Sequence, residues 1–136
     1  MPIVLLAVAV VLLGSVSVSA QSVSQAYGTN GDVQKGMIVM IDPKNSKNIV
    51  PLSNKKDGDM QGIAVDSSDT SVSLGLDTKL NQTYVATNGK YQVLVSNQNG
   101  PVQKGDIISI SALDGIGMKA DAAQSVVLGR ALSTFD

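Results

Sequence analysis

The sequence contains no cysteine, histidine, tryptophan or glutamate. Without cysteine there is no disulfide, thiol nucleophile or thiol redox chemistry, and packing and hydrogen bonds alone must hold the fold. Without histidine no Ser-His-Asp triad can be assembled. With neither residue, a zinc or haem site has no ordinary ligands, and any metal site would rest on oxygen donors of the kind calcium or magnesium takes. An excess of one charge is missing as well. Ten basic residues face eleven acidic ones, all aspartate, for a net charge of -1, so no field exists that would gather nucleic acid. No nucleic-acid partner and no cofactor are expected.

What is present begins with an apolar run from Pro2 to Leu13, followed by Gly14, Ser15 and then Val16-Ser17-Val18-Ser19-Ala20. No charge occurs before Asp32. Such a run is expected to form a hydrophobic helix, and the small residues at Val18-Ser19-Ala20 match what a signal peptidase reads. Cleavage is placed after Ala20. The competing reading is a retained anchor, with residues 2–20 held in a membrane, since that length at about 1.5 Å per residue approaches the hydrocarbon thickness of about 30 Å. Either reading puts the rest of the chain outside the cytoplasm, secreted or anchored at a cell surface. Residues 21–30 read as a linker or a frayed first strand, and residues 31–136 as a single β domain.

Within that domain short apolar runs alternate with turn signals. Met37–Ile41, Ile49–Leu52, Met60–Val65, Ile107–Ile110 and Ser125–Leu128 read as strands, the second demoted toward an edge by Pro51. Ser71–Leu76 alternates with period two and predicts Val72, Leu74 and Leu76 on one buried face. Asn88-Gly89, between Thr83–Ala86 and Tyr91–Val95, is a strong hairpin signal that would set Tyr84 and Tyr91 on one face. Only Lys119–Ser125 has a helix-like composition. The expected fold class is all-β.

An internal repeat organises these pieces. Asn30–Ile41 aligns without gaps to Asn99–Ile110, with eight of twelve positions identical. A second echo follows each copy, Gly62-Ile63-Ala64-Val65 answering Gly129-Arg130-Ala131-Leu132. Two landmarks in one order predict a supersecondary unit used twice, over about residues 30–66 and 99–133, with the halves sharing one barrel or sandwich. In each copy Val-Gln-Lys-Gly reads as a tight turn, with glycine in a conformation costly to other residues. Lys35 and Lys104 then stand at the tips, solvated or as paired ligand-binding or catalytic groups.

The run Asn99-Gly100-Pro101-Val102-Gln103-Lys104-Gly105-Asp106-Ile107-Ile108, continued by Asp114–Ala120 and Val127–Leu132, resembles a β-rich module of bacterial surface proteins and phage tail-fibre or appendage proteins, including those called peptidase G2-like. The resemblance covers residues 99–132 closely and the remainder through the repeat. It implies a compact β-clip-like or barrel-like unit within a larger surface or fibre protein. The Lys-Gly-Asp-Ile-Ile turn is also similar to that of SAF domains in pilus and flagellar assembly proteins, another exported β-clip group. Some G2-like relatives self-cleave through glutamate. This sequence has none, so no catalytic residue is carried over, and Leu113-Asp114 departs from the proline usual there.

The remaining candidates point to binding rather than catalysis. Asp57-Gly58-Asp59 and Asp66-Ser67-Ser68-Asp69 cluster oxygen donors that calcium could use, or are solvated acidic turns. Ser109 or Ser111 with Lys104 or Lys119 could be imagined as a Ser/Lys hydrolase, although alternating serines are the ordinary polar face of a strand. Tyr84 and Tyr91 could stack on a sugar or pack in the core. Asp114-Gly115-Ile116-Gly117 opens no long helix and so is not a phosphate loop. Its Met118 is expected to reach the core. The sequence therefore favours a non-enzymatic structural or interaction module with a protein partner or self-association, over a self-processing hydrolase or a glycan- or calcium-binding adhesin. Its candidate surface residues are Tyr84, Tyr91, Lys35 and Lys104.

Overall fold

Short β-branched runs broken by Gly, Asn and Pro turns give an all-β chain. The computed structural model describes residues 22–75, 81–124 and 126–136. The leader with its expected helix, and Leu76, lie outside them. The strands are β1 (Val23–Gly28), β2 (Ile38–Asp42), β3 (Asn45–Pro51), β4 (Met60–Val65), β5 (Val72–Leu74), β6 (Gln82–Ala86), β7 (Ile107–Ile110), β8 (Gly117–Lys119) and β9 (Gly129–Arg130). Two short 3-10 turns, Asn54–Asp59 and Ser67–Asp69, are the helical content of the described residues. The described residues of the helix-like stretch form no helix: Lys119 ends β8 and a turn follows at residues 122–123.

Six strands form a mixed sheet in the order β3-β2-β4-β6-β1-β5. The strand β3 also meets β1 at Gly28 and Asn48, so β1, β6, β4, β2 and β3 close into a ring with β5 on its outside. A Cβ at Gly28 would meet the amide end of the Asn48 side chain, so the two strands approach closely at this point of closure. Of the two readings of segment 21–30, the strand is the one that appears, over Val23–Gly28. Its inward residues are Ser24 and Ala26, both buried, and the Ser24 hydroxyl bonds to Thr70 Oγ1 at 2.8 Å and Ser73 Oγ at 3.1 Å. A satisfied hydroxyl takes the place of a core hydrocarbon.

Two expectations are overturned by the way strands compete for edges. Val72 and Leu74 are exposed, at 39% and 54%, because β5 pairs with β1 alone and its inward residue is Ser73, bonded to Ser24 and to the Ser67 carbonyl. The Asn88-Gly89 hairpin does not form. Both edges of β6 are already taken, one by β4 and the other by β1 in antiparallel register. Gly89 still turns, with φ at 112°, but the chain then leaves the sheet. Leu94 N–H donates to the Gly36 carbonyl at 2.8 Å, and the Leu94 carbonyl accepts from Gly117 N–H at 2.9 Å.

The core lies on both faces of the ring. Val39, Ile49, Ala64 and Val85 form one buried cluster. Alternate residues of the same strands, Ile38, Met40, Ile63, Val65 and Ala86, form a second with Leu52 and with Ile110 of β7. This second cluster joins the six-stranded sheet to the three-stranded one, whose order is β8-β7-β9. Backbone bonds reinforce the junction: Gly115, at φ 75°, accepts from Ile38 N–H and donates to the Leu52 carbonyl, each at 2.8 Å. The Asp114–Gly117 loop is thereby part of the core junction.

Within the two sheets, the segments beginning at Asn30 and Asn99 have matching geometry. Gly36 and Gly105 have φ of 91° and 95°, and Gly31 and Gly100 have 93° and 92°. Each turn is closed three residues on, Met37 N–H to the Gln34 carbonyl at 3.1 Å and Asp106 N–H to the Gln103 carbonyl at 3.0 Å. Glycine third in such a turn meets the positive φ that a type II turn requires. Gly36 N–H donates to the Ala64 carbonyl and Gly105 N–H to the Ala131 carbonyl, both at 2.8 Å. The alanines donate back to Met37 and Asp106 at 2.9 and 2.8 Å. Strand registers match too: Val39 faces Pro51 and Gly62, while Ile108 faces Lys119 and Gly129. Hence β3-β2-β4 and β8-β7-β9 repeat one order.

Candidate interaction cleft

Since β6 cannot accept a hairpin partner, residues 89–95 are displaced toward the second sheet, and a cleft opens between them and the segment 128–135. Its volume is about 590 Å³. Its walls carry Leu94, Leu132 and Phe135, exposed by 37%, 57% and 43%. Cations from Lys90 and Arg130 line it beside Lys35, and among the described residues no carboxylate does.

Tyr91 stands in this wall, half-buried against the second core cluster. Its ring lies over Gly89, where an added Cβ would sit 2.7 Å from the phenolic oxygen. That oxygen is buried and has no hydrogen-bond partner among the described residues, an uncommon condition for a buried polar atom. Tyr84 packs against the same core from β6, facing Val65 on one side and Ala26 on the other. The two tyrosines therefore share a core cluster but no hairpin face, and Tyr84 does not line the cleft.

Lys35 and Lys104 occupy equivalent turns and have different surroundings. Lys35 Nζ lies 2.8 Å from Asp66 Oδ2 and 3.0 Å from Asp69 Oδ2. These hydrogen bonds, to Asp66 first and then Asp69, hold the lysine above its ordinary range. Asp69 is held below the usual carboxylate range by the Asp66 N–H and then by Lys35. An ammonium thus already bridges Asp66 and Asp69, one of the two aspartate clusters offered for calcium. In the second copy Ser133 stands where Asp66 would be by the same alignment, and Lys104 is exposed without an ion pair among the described residues. Asp106 instead accepts from Gln103 N–H at 2.8 Å and lies 3.8 Å from Lys119 Nζ.

Ser109 and Ser111 are buried and committed to the backbone: Ser109 Oγ donates to the Val126 carbonyl at 2.6 Å, and Ser111 Oγ accepts from Leu113 N–H. Neither bonds to a lysine. A second recess of about 430 Å³ is lined mostly by polar residues, among them Gln98, Asn99 and Gln124. Its amides are occupied by the fold: Gln98 accepts from Ala112 N–H, Asn99 donates to the Lys119 carbonyl, and Gln124 donates to the Ile110 carbonyl.

Sequence reasoning found Lys35 and Tyr91 on the cleft and missed Lys90, Leu94, Arg130, Leu132 and Phe135. The second echo held a signal for Arg130 and Leu132, whose counterparts are Ile63 and Val65. An arginine where its partner has a core isoleucine marks a changed environment. No family model matches the chain, and no curated protein or solved structure does either. Among the described residues no helix is long and apolar enough to cross a membrane.

Proposed function

We propose that this chain is an exported structural or interaction module of a bacterial or phage-derived surface protein, built from two copies of one β-clip-like unit and acting by presenting a surface. The observation that carries the reading is the matched pair of backbone bonds, Gly36 to Ala64 and Gly105 to Ala131, at one distance and with near-equal glycine φ. Two aligned segments with one turn, one pattern of closing backbone bonds and one strand order are economically explained as a duplicated unit. The apolar leader supports export, and the cleft between the units supplies a surface with exposed hydrocarbon and positive charge. The chemistry of the buried serines and of Lys35 is spent on structure, which favours contact over catalysis.

Export is tested by expressing the full chain in a bacterium and fractionating the cells. The expected product lies outside the cytoplasm, beginning at Gln21 if cleaved or sedimenting with membranes if residues 2–20 are retained. Recovery from the cytosol with Met1–Ala20 intact contradicts the proposal.

A further inference from the structure

The two units differ in what covers their return strands. In the first, β4 is flanked by β6, with Ile63 opposite Ala86, Ala64 opposite Val85 and Val65 opposite Tyr84. In the second, β9 pairs with β7 alone. Equivalent glycines report the difference: a side chain at Gly62 would strike the Ala86 carbonyl, whereas at Gly129 nothing lies within 4 Å. Equivalent side chains agree, since Val65 is 5% exposed and Leu132 is 57% exposed. Ala131 N–H is committed to Asp106, so the alternation of an antiparallel ladder turns the N–H and C=O of Arg130 away from β7. In the first unit the corresponding edge, at Ile63, faces β6.

Resting on the two-unit reading above, we propose that the cleft takes an extended strand of another polypeptide, adding antiparallel to Gly129–Leu132 in the position β6 holds against β4, and carrying an acidic residue opposite Arg130. Main-chain bonds supply affinity in this mode and alternate side chains supply selectivity. The first unit defines the occupant. Its covering strand, Gln82–Ala86, is short, extended and apolar over Tyr84-Val85-Ala86. Charge defines the rest: Ala86 faces Ile63, whose counterpart is Arg130, and among the described residues Lys90 and Arg130, whose guanidinium also donates to the Gly105 carbonyl at 3.0 Å, line the cleft with no carboxylate beside them. An aspartate at that register forms an opposite-charge cross-strand pair. Leu94, Leu132 and Phe135 then receive the strand's apolar side chains.

The probe is a synthetic peptide with the sequence of residues 81–87, together with the same peptide carrying aspartate in place of its alanine. Each is titrated into the isotope-labelled full chain and followed by amide NMR. Saturable shifts at Tyr91, Arg130 and Leu132, with slowed exchange of the Arg130 amide, are expected. The aspartate peptide should bind roughly two- to five-fold tighter, a gap that closes at high salt. Leu132→Asp should weaken binding about tenfold or more, whereas Lys44→Asp, the larger charge change at the exposed turn between β2 and β3 and outside the cleft, should leave it unchanged. Absent shifts, shifts confined to other strands, or equal weakening by both variants overturns the proposal. So does Arg130 protection that rises with protein concentration without peptide, which makes a second copy the occupant. None of these outcomes alters the fractionation result, and a cytosolic chain that still binds the peptide would defeat the export reading alone.

Discussion

Glycine at positions 36 and 105 starts each three-strand set in a backbone conformation that disfavours other residues, yet the two positions are not equally crowded. A Cβ at Gly36 would lie 3.2 Å from Leu94 Cγ and 3.3 Å from both the Gln92 carbonyl and the Leu94 nitrogen, while at Gly105 nothing lies within 4 Å. Gly105→Ala should therefore lower stability by about 1–2 kcal/mol from the left-handed backbone alone. Gly36→Ala should lower it by roughly a further 1 kcal/mol through crowding, and urea denaturation of both variants checks the order. The Lys-Gly turns were readable in sequence because glycine before a strand has few other uses. The ion pair of Lys35 was not, since Asp66 and Asp69 reach it only after β2, β3 and β4 fold. Asp69 is held below its unfolded value, so its contribution is present above the unfolded pKa and is lost as pH falls through the folded one. Lys35 is held above its unfolded value, so its contribution is present below the unfolded pKa and is lost as pH rises through the folded one. The bridge is thus at full strength between the carboxylate and lysine ranges. NMR titration of Asp69 should show a depressed midpoint that Lys35→Met moves upward, though not fully to the ordinary value, because the Asp66 N–H remains. An unchanged midpoint would refute the pairing.

Strands gain or lose their expected roles here according to which edges are free. The apolar runs of β2, β4 and β7 announced themselves because both of their faces are buried. Strand β1 did not, since its inward residues are Ser24 and Ala26, and a serine that bonds within a hydroxyl cluster looks in sequence like part of a loop. The hairpin signal at Asn88-Gly89 correctly marked a turn and misassigned its partner, because local turn chemistry carries no information about β1 reaching β6 first. The same edge logic predicts opposite results for two matched glycines. Gly62→Ala drives a methyl against the Ala86 carbonyl and to 2.8 Å from Val85 Cγ1, and should cost about 3 kcal/mol. At Gly129, where φ is not positive and the space is open, alanine should be neutral or stabilise by up to about 1 kcal/mol through the unfolded state. Thermal denaturation of the two variants decides the matter, and equal losses would mean that both edges are covered.

Taken whole, the molecule is held by a core cluster to which both sheets contribute, with Ile110 of β7 buried among Ile38, Met40, Leu52 and Ile63. Ile110→Ala should therefore cost about 2–5 kcal/mol and lower the unfolding midpoint of both sheets together, as fluorescence of the tyrosines and amide signals from β9 would record. Two separate transitions would show that the sheets fold independently. The all-β class and the doubled turn were legible at this scale, since a repeated string implies a repeated conformation. The cleft was not, because it arises where β9 lacks the cover that β6 gives β4. Amide hydrogen exchange on the full chain puts the proposed duplication and its asymmetry to one test. Gly36, Ala64, Gly105 and Ala131 should all be protected, with Ile63 protected and Arg130 exchanging freely. Exchange of Gly105 and Ala131 at unfolded-chain rates, while Gly36 and Ala64 stay protected, would contradict the account.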